Sequence, residues 1–410
     1  MASRTPIAVT VVIPAYNEER AIGPVLERLR QAAQTVVARH AEVAEVEIIV
    51  VDDASRDRTA EVAAAVAGVK VVRLPANRGY GGALLAGFAA ARGEWLAFLD
   101  ADGTYPPEFI ADLVAAMLDT DADIVLGSRF AGAASQMPLV RRVGNVFFAR
   151  LLSWLTGRSI TDTASGMRIF KRSVLEQLRP LPAGLHFTPA MSTAALHQRL
   201  DIREIPMPYD QRVGASKLNP VVDGLRFLAI ILGTAHRYNP LKIFGALGAL
   251  LLAVGIGFGV GPVAYYLSVQ RVEDWAIYRL LAVLVAVVSG INLIFFGAVA
   301  NVVLAATHRL PPFRNSVLGR LLLRPALLRQ CWLLGVLLML AALALDWSGI
   351  YSYLTTGLVF SHWSYVVTGA LLFLLGLSFA LWGSLVRTVL EVVDRAARRE
   401  AEEPAAPERS

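Results

Sequence analysis

Two aspartates separated by a single residue, Asp100 and Asp102, directly follow the apolar run Trp95–Leu99. In an extended chain, side chains at positions i and i+2 project to the same side, so both carboxylates point to one place. Paired carboxylate oxygens suit Mg²⁺ or Mn²⁺ when a diphosphate shares the coordination of the ion. Taken alone the pattern is a weak predictor, because a solvated turn or a helix cap contains it as readily.

Two more polar clusters follow apolar runs earlier in the chain. Residues 14–18 read Pro-Ala-Tyr-Asn-Glu, and Asp52 and Asp53 end another apolar run. Ligands of parallel α/β sheets gather at the carboxyl ends of the strands, so we expect both clusters on the same rim as Asp100. A carboxylate there is placed to meet a ribose or a base edge. The alternative role of Asp52 and Asp53 is to cap a helix expected near residues 58–66.

Residues 77–82, Asn-Arg-Gly-Tyr-Gly-Gly, follow a third strand-like run and open a helix. The spacing of these glycines fits neither the P-loop nor the dinucleotide-binding fingerprint. Because glycine lets backbones approach closely, the segment predicts tight packing beneath a nucleotide rather than a cradle around phosphate. A kinase or a dehydrogenase is therefore disfavoured.

The elements that must position these residues alternate between strands and helices. Strands are expected at 8–13, 47–51, 69–73, 95–99 and 123–126, with helices that include 21–38 and 107–118. Such alternation predicts an α/β fold with a largely parallel, doubly wound sheet over residues 1–218.

The second half of the chain is apolar enough to enter a membrane. Of all residues, 55% are hydrophobic and 18% are charged, and the mean hydropathy of +0.52 argues against an ordinary soluble protein. Runs without charged side chains cover 243–270 and 280–308, and further apolar spans lie in 330–345 and from about 366. Since roughly 20 residues cross a bilayer, we expect four transmembrane helices in residues 241–390.

The flanking segments predict how the chain meets the membrane. Residues 219–240 mix apolar and charged side chains and are expected to form amphipathic helices at the membrane surface. The loop between the second and third spans has five arginines and no acidic residue, so it and both termini are expected in the cytoplasm, at the cell inner membrane. No secretory signal is expected, and residues 391–410 are expected to form a disordered tail.

Seven motifs occur in the order and approximate spacing of inverting family 2 glycosyltransferases with a GT-A fold. They are residues 14–18, 51–59, 77–82, 100–102, 127–130, 163–172 and 212–217. More narrowly, residues 7–218 resemble polyprenyl-phosphate (dolichol-phosphate) mannosyl- and glucosyltransferases. The resemblance implies a membrane-bound glycosyltransferase whose GT-A, Rossmann-like catalytic domain precedes interfacial helices and four transmembrane helices.

The resemblance also implies roles for three groups of residues. The nucleotide is expected to contact Pro14, Tyr16, Glu18, Asp52 and Asp53. The catalytic group comprises Asp100, Asp102 and Arg129, in which Asp102 is the more direct ligand of the metal and Asp100 the second. The acceptor phosphate is expected at Arg141, Asn145, Arg212, Ser216 and Lys217.

This sequence departs from the family pattern at two places. Gly103-Thr104-Tyr105 replaces the Leu-Gln or Gly-Gln pair that is frequent after the metal aspartate, so Thr104 or water is expected to complete the metal shell. Residues 187–192 lack the acidic residue that many relatives carry. These departures leave the identity of the sugar open.

The implied reaction moves a hexose from a GDP- or UDP-hexose to a polyprenyl phosphate, with inversion. A lipid phosphate is already anionic near neutral pH, so arginines that capture it matter more than a base. The formal net charge of +6 suits anionic phosphates and a membrane surface. No nucleic acid is expected as a partner, and homo-oligomerisation stays open.

Two alternatives belong to other classes. A lipid hydroxyl as acceptor would need a catalytic carboxylate and would give a neutral glycolipid. A nonenzymatic membrane scaffold or flippase accessory would turn over no nucleotide sugar and would leave the polar rim unexplained. A processive polysaccharide synthase is disfavoured, because Gln330-Cys331-Trp332 does not match its Gln-x-x-Arg-Trp motif.

Overall fold

A computed structural model describes residues 6–132, 137–210, 220–307 and 325–402. The chain divides into two compact units, Met1–Ala235 and His236–Ser410. The first unit contains an α/β sheet, and the second contains long apolar helices.

The described strands of the first unit form one seven-stranded mixed sheet. They are β1 (Ile7–Ala15), β2 (Val43–Asp52), β3 (Val69–Arg73), β4 (Trp95–Phe98), β5 (Ile124–Ser128), β6 (Arg168–Lys171) and β7 (Ile202–Pro206). Their spatial order is β3-β2-β1-β4-β6-β5-β7. Strands β1 to β4 pair in parallel, whereas β6 is antiparallel to both of its neighbours, β4 and β5.

All but the last of the described helices of this unit lie between consecutive strands of the chain, and the last one follows β7. They are α1 (Ile22–Arg39), α2 (Thr59–Ala64), α3 (Gly79–Ala90), α4 (Ile110–Thr120), α5 (Leu139–Thr156), α6 (Arg172–Gln177), α7 (Phe187–His197) and α8 (Pro220–Tyr238). A short 3₁₀ turn, Pro107–Phe109, leads into α4.

Apolar side chains fill both faces of the sheet, as expected for strands covered by helices. Leu29 of α1 and Leu113 of α4 belong to one buried cluster. The other cluster contains Phe88, Phe98 and Phe187, from α3, β4 and α7. This double-sided burial explains why β1 and β4 are nearly uninterrupted apolar runs in the sequence.

The predicted α/β class is confirmed, and each of the five expected strands is present. Two strands, β6 and β7, were not predicted. Residues 168–171 read Arg-Ile-Phe-Lys, and this short run with charged ends carries little strand signal of its own. Its pairing between β4 and β5 makes the sheet mixed rather than uniformly parallel.

The second unit confirms the four expected membrane helices. They are α9 (Pro240–Val269), α10 (Ala276–Thr307), α11 (Pro325–Thr356) and α12 (Trp363–Glu402). Each contains a stretch long and apolar enough to cross a membrane. Helices α9 and α10 pair along their length, as do α11 and α12.

The end of the chain differs from the expected tail, because α12 continues as a helix to Glu402. Glu391 lies four residues from both Arg387 and Arg395, and it accepts an ion pair from each. Such pairs, together with good helix-forming residues, support a helix beyond the membrane span. Residues 403–410 of the expected tail lie outside the described residues, as does most of the arginine-rich loop, 308–324.

Candidate active site

The three predicted polar clusters lie at the carboxyl ends of three adjacent strands. Strand β1 pairs in parallel with β2 on one side and with β4 on the other. In the register of β1 and β2, Ala15 lies opposite Asp52, and the next amide, that of Asp53, donates to the Ala15 carbonyl at 2.9 Å. The strand order reverses direction between β1 and β4, which is where α/β sheets open a crevice for ligands.

The segment after β1 is held to the segment after β2 by hydrogen bonds. Asn17 has a left-handed φ of 53°, and its amide side chain accepts from the Arg56 N–H at 2.8 Å. The Glu18 N–H donates to the Thr59 hydroxyl at 2.8 Å. These bonds fix the path of residues 14–18 and leave Tyr16 and Glu18 half-buried at the rim.

Asp53 does not cap α2, which was the alternative role considered from the sequence. Its two carboxylate oxygens accept the N–H groups of Arg78 and Gly79, at 2.6 and 2.9 Å, at the start of α3. Helix α2 is instead capped by Asp57, which accepts the Thr59 N–H at 3.0 Å. Asp53 therefore ties the end of β2 to the glycine segment, which is one strand away on the rim.

The glycines of residues 77–82 permit close backbone packing, as their pattern suggested. The Gly82 N–H donates to the Ala183 carbonyl at 2.8 Å, and a β-carbon on Gly81 would collide with the Pro182 carbonyl. The loop before α7 thus lies directly against the start of α3, where any larger residue would separate them.

Asp100 lies between α3 and the loop that precedes β6. The Tyr80 hydroxyl donates to its Oδ1 at 2.8 Å. Gly166 approaches the same carboxylate so closely that no β-carbon could be added there. Burial and the neighbouring Asp100 both raise the pKa of Tyr80, so the phenol stays protonated and acts as a donor.

Asp102 is buried, with 8% of its surface exposed, and it contacts the residue that replaces the family glutamine. Its Oδ1 accepts the backbone N–H of Thr104 at 3.1 Å and the Thr104 hydroxyl at 2.6 Å. Gly103 between them has a φ of 76°, which permits this tight turn. The Thr104 carbonyl accepts the backbone N–H of Asp210, the residue after Tyr209, at 3.0 Å.

The donor set at this turn suits a hard divalent cation. Asp100 and Asp102 offer two carboxylates, and the described residues contain no cluster of three or more His, Cys, Asp or Glu side chains around a metal position. Mg²⁺ is commonly held by one or two carboxylates together with substrate phosphates, so two protein carboxylates are sufficient.

Arg129, predicted in the catalytic group, and Asn145, predicted at the acceptor phosphate, converge on a residue that the sequence did not single out. Asp162 accepts Nε and Nη2 of Arg129 at 2.7 and 2.8 Å, and Nδ2 of Asn145 at 3.0 Å. The Arg129 guanidinium also lies 5.3 Å from the ring centre of Tyr209. A continuous series of contacts therefore runs from Asp102 through Thr104 and the segment of Tyr209 and Asp210 to this ion pair.

Charge is stabilised inside this cluster. Burial alone would raise the pKa of Asp162, but Arg129 and the donated hydrogen bonds hold it below its ordinary value of 3.8. Burial likewise opposes the charge of Arg129, and Asp162 raises its pKa well above the ordinary value. Both groups are ionised at neutral pH, because each compensates the desolvation of the other.

The remaining predicted acceptor residues fall into two groups. Arg141 is half-buried in the first turn of α5, the same helix that contributes Asn145. Arg212, Ser216 and Lys217 lie outside the described residues, so their roles remain predictions.

Asp162, Tyr80, Tyr209 and Arg168 belong to the site but were not identified from the sequence as individual site residues. Asp162 directly precedes the motif of residues 163–172, Arg168 lies inside it, and Tyr80 lies inside the motif of residues 77–82, so the motifs were the available signal for these three. Their contacts span 20 residues or more of chain in three instances: Tyr80 with Asp100, Asp162 with Arg129, and Arg168 with Ser192.

Comparison with known proteins agrees with this arrangement. The family described as Glycosyl transferase family 2 matches residues 10–179, and a Domain of unknown function (DUF8752) matches residues 240–401. The low-salt glycan biosynthesis hexosyltransferase Agl6 of Haloferax volcanii is 32% identical over 72% of this chain and 68% of its own length.

Two further relatives have lipid phosphates in their names. The dolichyl-phosphate hexose transferase of Haloferax volcanii is 35% identical over 52% of this chain and 88% of its own length. The undecaprenyl-phosphate 4-deoxy-4-formamido-L-arabinose transferase of Edwardsiella ictaluri is 30% identical over 67% of this chain and 82% of its own length. The chain therefore belongs to glycosyl transferase family 2, and it is a glycosyltransferase with a GT-A catalytic domain followed by four membrane helices.

Proposed function

We propose that this enzyme transfers a hexose from a nucleoside-diphosphate sugar to a polyprenyl phosphate, with inversion at the anomeric carbon. The observation that carries the proposal is the continuous contact series from Asp102 to Arg129 and Asn145. It joins Asp102, a predicted metal ligand, to Arg129 of the predicted catalytic group and to Asn145 of the predicted acceptor group. The names of the two lipid-phosphate transferases among its relatives support the same acceptor class.

On the donor side, Asp102 and Asp100 would hold Mg²⁺ or Mn²⁺ together with the diphosphate. When bound, the ion stabilises the negative charge that develops on the departing nucleoside diphosphate. Thr104 orients Asp102 through two hydrogen bonds, and Tyr80 orients Asp100 through one. Residues 14–18, Asp52 and Asp53 form the neighbouring part of the rim, where the base and ribose would lie.

On the acceptor side, a phosphate oxygen is the nucleophile, and it needs no base near neutral pH. The chain's task is to bring two anionic groups together, so cationic side chains must surround the acceptor. Arg141, one turn before Asn145 on α5, is expected to face the acceptor, and Arg212 and Lys217 are expected to join it. Arg129 is paired with Asp162, so it orients the site more than it adds net charge.

Helix α5 gives the lipid tail a surface to follow. Its Val143, Phe147 and Trp154 are exposed and line an apolar groove of about 660 Å³, flanked by Arg142 and Arg150. The helix contains no acidic residue. An exposed apolar stripe with basic neighbours is typical of helices that lie on anionic bilayers.

Helix α8 extends this apolar surface within the first unit. Its Phe227 ring lies 6.0 Å from the Phe148 ring of α5. Val221 and Leu225 of α8 are exposed, and Asn239 alone separates this helix from the membrane helix α9. The helix that bears this surface is therefore followed almost directly in the chain by a membrane helix.

We infer that both termini and the catalytic unit lie in the cytoplasm, because of the arginine-rich loop between α10 and α11. Cysteines introduced at Ser316 and Ser352, in a Cys331→Ser background, test this orientation in intact cells. An impermeant maleimide should label position 352 and spare position 316. Labelling of position 316 from outside would reverse the topology.

The acceptor is tested by giving the purified full-length enzyme a polyprenyl phosphate or the matching polyprenol. A panel of GDP- and UDP-hexoses is supplied with each, and the lipid product is identified by mass spectrometry. We expect a sugar phospholipid from the phosphate and no product from the alcohol. Equal use of the alcohol would end the phosphate-acceptor proposal in favour of a hydroxyl acceptor.

Adjacent arginines on α5 provide a matched pair for the same question. Arg141→Ala removes a charge-assisted contact to the acceptor, so the KM for polyprenyl phosphate should rise about ten- to a hundredfold. Arg142→Ala removes an exposed charge one residue away and should change it by about twofold or less. Lys217→Ala should resemble Arg141→Ala. If both α5 variants are equally mild and anionic lipid rescues them, these arginines only attract the membrane.

A further inference from the structure

Arg168 is a fully buried arginine at the start of β6, with 1% of its surface exposed. Its guanidinium donates to the Ser165 and Thr163 carbonyls at 3.0 and 2.9 Å, and to the Ser192 hydroxyl at 2.8 Å. These three acceptors are uncharged. A buried charge is costly unless something compensates it, so its presence beneath a rim for anionic ligands requires an explanation.

The three bonds hold one loop in place. Residues 163–166 lie between Asp162 and β6. The Arg168 guanidinium holds this loop through hydrogen bonds to the carbonyls of Thr163 and Ser165. The next residue, Gly166, lies against the Asp100 carboxylate, and its N–H donates to the Tyr105 hydroxyl at 2.8 Å. Moving the loop would therefore move both Asp162 and the contact surface of Asp100.

The charge of Arg168 has no carboxylate as a direct partner. Asp162 makes its two ion-pair hydrogen bonds to Arg129 and acts on the Arg168 guanidinium only from a distance, as do Tyr80 and Tyr105. Burial lowers the pKa of Arg168 to about 10, so the group remains charged at neutral pH. In a water-poor interior such a charge acts over a longer distance than it would at the surface.

We propose that Arg168 is a positioning residue of the transferase site. It holds the loop of residues 163–166 against Asp100 and places a fixed positive charge beneath the rim where the donor diphosphate binds. The inference rests on the proposed donor site, but it assigns a role that the metal carboxylates and the acceptor arginines do not fill.

The other end of the same region offers a matched control. Arg172 follows β6, and its guanidinium also donates hydrogen bonds to backbone carbonyls. It donates to Gly93 at 2.7 and 2.9 Å and to Ala91 at 2.9 Å. In the antiparallel pairing of β6 with β4, Arg168 lies opposite Phe98, near Asp100, whereas Arg172 follows Lys171, which lies opposite Trp95 at the distant end. The two arginines thus share a bonding pattern but differ in their distance from the rim.

The test compares full-length Arg168→Met, Arg168→Lys and Arg172→Met. Binding of a nucleoside diphosphate is measured with and without Mn²⁺, together with kcat and thermal unfolding. Hydrogen exchange of residues 163–166 is followed in metal-free protein. We expect Arg168→Met to weaken diphosphate binding and to lower kcat about ten- to a hundredfold, the size of one lost charge-assisted interaction, with faster exchange in the loop. Arg172→Met should lose stability but keep kcat and diphosphate affinity within about twofold.

Arg168→Lys tests the positioning role of Arg168 if Arg168→Met does not fold. Arg168→Lys retains the charge but not the fork, so it should exchange faster in the loop and recover part of the diphosphate affinity. Wild-type kcat, affinity and exchange in Arg168→Lys would overturn the proposal. So would a loss in Arg168→Met that only follows its thermal stability, as in Arg172→Met. If Asp102→Ala abolishes turnover while Arg168→Met does not, only the role of Arg168 fails.

Discussion

The two units of this enzyme bury different kinds of groups. In the α/β unit, the rim residues Asp102, Arg129, Asp162 and Arg168 are all buried, and each is hydrogen-bonded: Asp102 to Thr104, Arg129 to Asp162, and Arg168 to Thr163, Ser165 and Ser192. In the membrane unit, helices approach through glycines. A β-carbon on Gly248 would meet the Gly290 carbonyl, and one on Gly376 would meet that of Gly335.

This difference shows where each unit obtains its specificity. A buried charge allows few arrangements of the surrounding side chains, because each of its hydrogen-bond partners must be in place. A site that must orient a diphosphate and a phosphate benefits from such rigidity. Membrane helices gain stability from close backbone contact and need few polar side chains. The Asn292 amide, which donates to Ser378 at 3.0 Å, is a polar link between the two hairpins.

The largest effect should come from Asp102→Ala, which removes a metal carboxylate from the α/β rim. We expect turnover to fall on the order of 10²–10³-fold, because charge on the leaving diphosphate loses its stabilisation, while the fold is retained. Initial rates with a Mg²⁺ or Mn²⁺ titration measure this, with circular dichroism as the control. Full activity of the variant, or of wild type in excess EDTA, would exclude the metal role.

Asp162→Ala tests the cost of breaking a buried ion pair. It leaves the Arg129 guanidinium buried without its partner, so the free energy of unfolding should fall by about 3–5 kcal/mol. Chemical unfolding of the detergent-solubilised enzyme measures the change. The double variant Asp162→Leu with Arg129→Met should lose less stability than Asp162→Ala, although it should also lose activity. Equal losses would mean that the charges contribute nothing beyond packing.

The same pair predicts a dependence on pH. Because the pKa of Asp162 is lowered on folding, its ionisation stabilises the folded state above the ordinary value of 3.8. That contribution is lost as the pH falls through the lowered pKa of the folded state. Unfolding temperatures below about pH 4 should therefore drop more steeply for wild type than for Asp162→Asn. Parallel pH profiles would contradict the assignment.

A smaller loss should follow Gly248→Leu in α9. The added side chain forces α9 and α10 apart, and overpacking of this kind costs about 1–3 kcal/mol. Gly257 lies in the same helix with open space around it, so Gly257→Leu is the matched control and should change the unfolding temperature little. If both variants unfold alike, close contact at Gly248 does not support the hairpin.

The smallest effect should come from an exposed ion pair with the geometry of the buried one. Arg28 donates Nε and Nη2 to Glu108 at 2.7 and 2.8 Å, the same two distances that join Arg129 to Asp162. Glu108→Gln should nevertheless cost about 0–1 kcal/mol, because water screens the pair. A loss as large as that of Asp162→Ala would show that geometry, rather than burial, determines the contribution.

Features that depend on a local pattern could be predicted from the sequence. Short stretches of sequence are sufficient to recognise the five predicted strands, the polar residues at their ends and the four apolar spans. Burial on a sheet face or in a bilayer leaves a periodic or continuous apolar pattern in such stretches. The family motifs added the expected roles of Asp100, Asp102 and Arg129. The sequence gives the order of these residues along the chain but not the contacts between them.

The residues that complete the site became apparent from the folded chain alone. Asp53 caps α3 and not the nearby α2, β6 inserts between β4 and β5, and Arg168 grips the loop beside Asp100. Each of these depends on chain segments that are distant in sequence and meet only after folding. A hydrogen bond or an ion pair requires both partners at once, and neither partner alone leaves a periodic trace in the sequence.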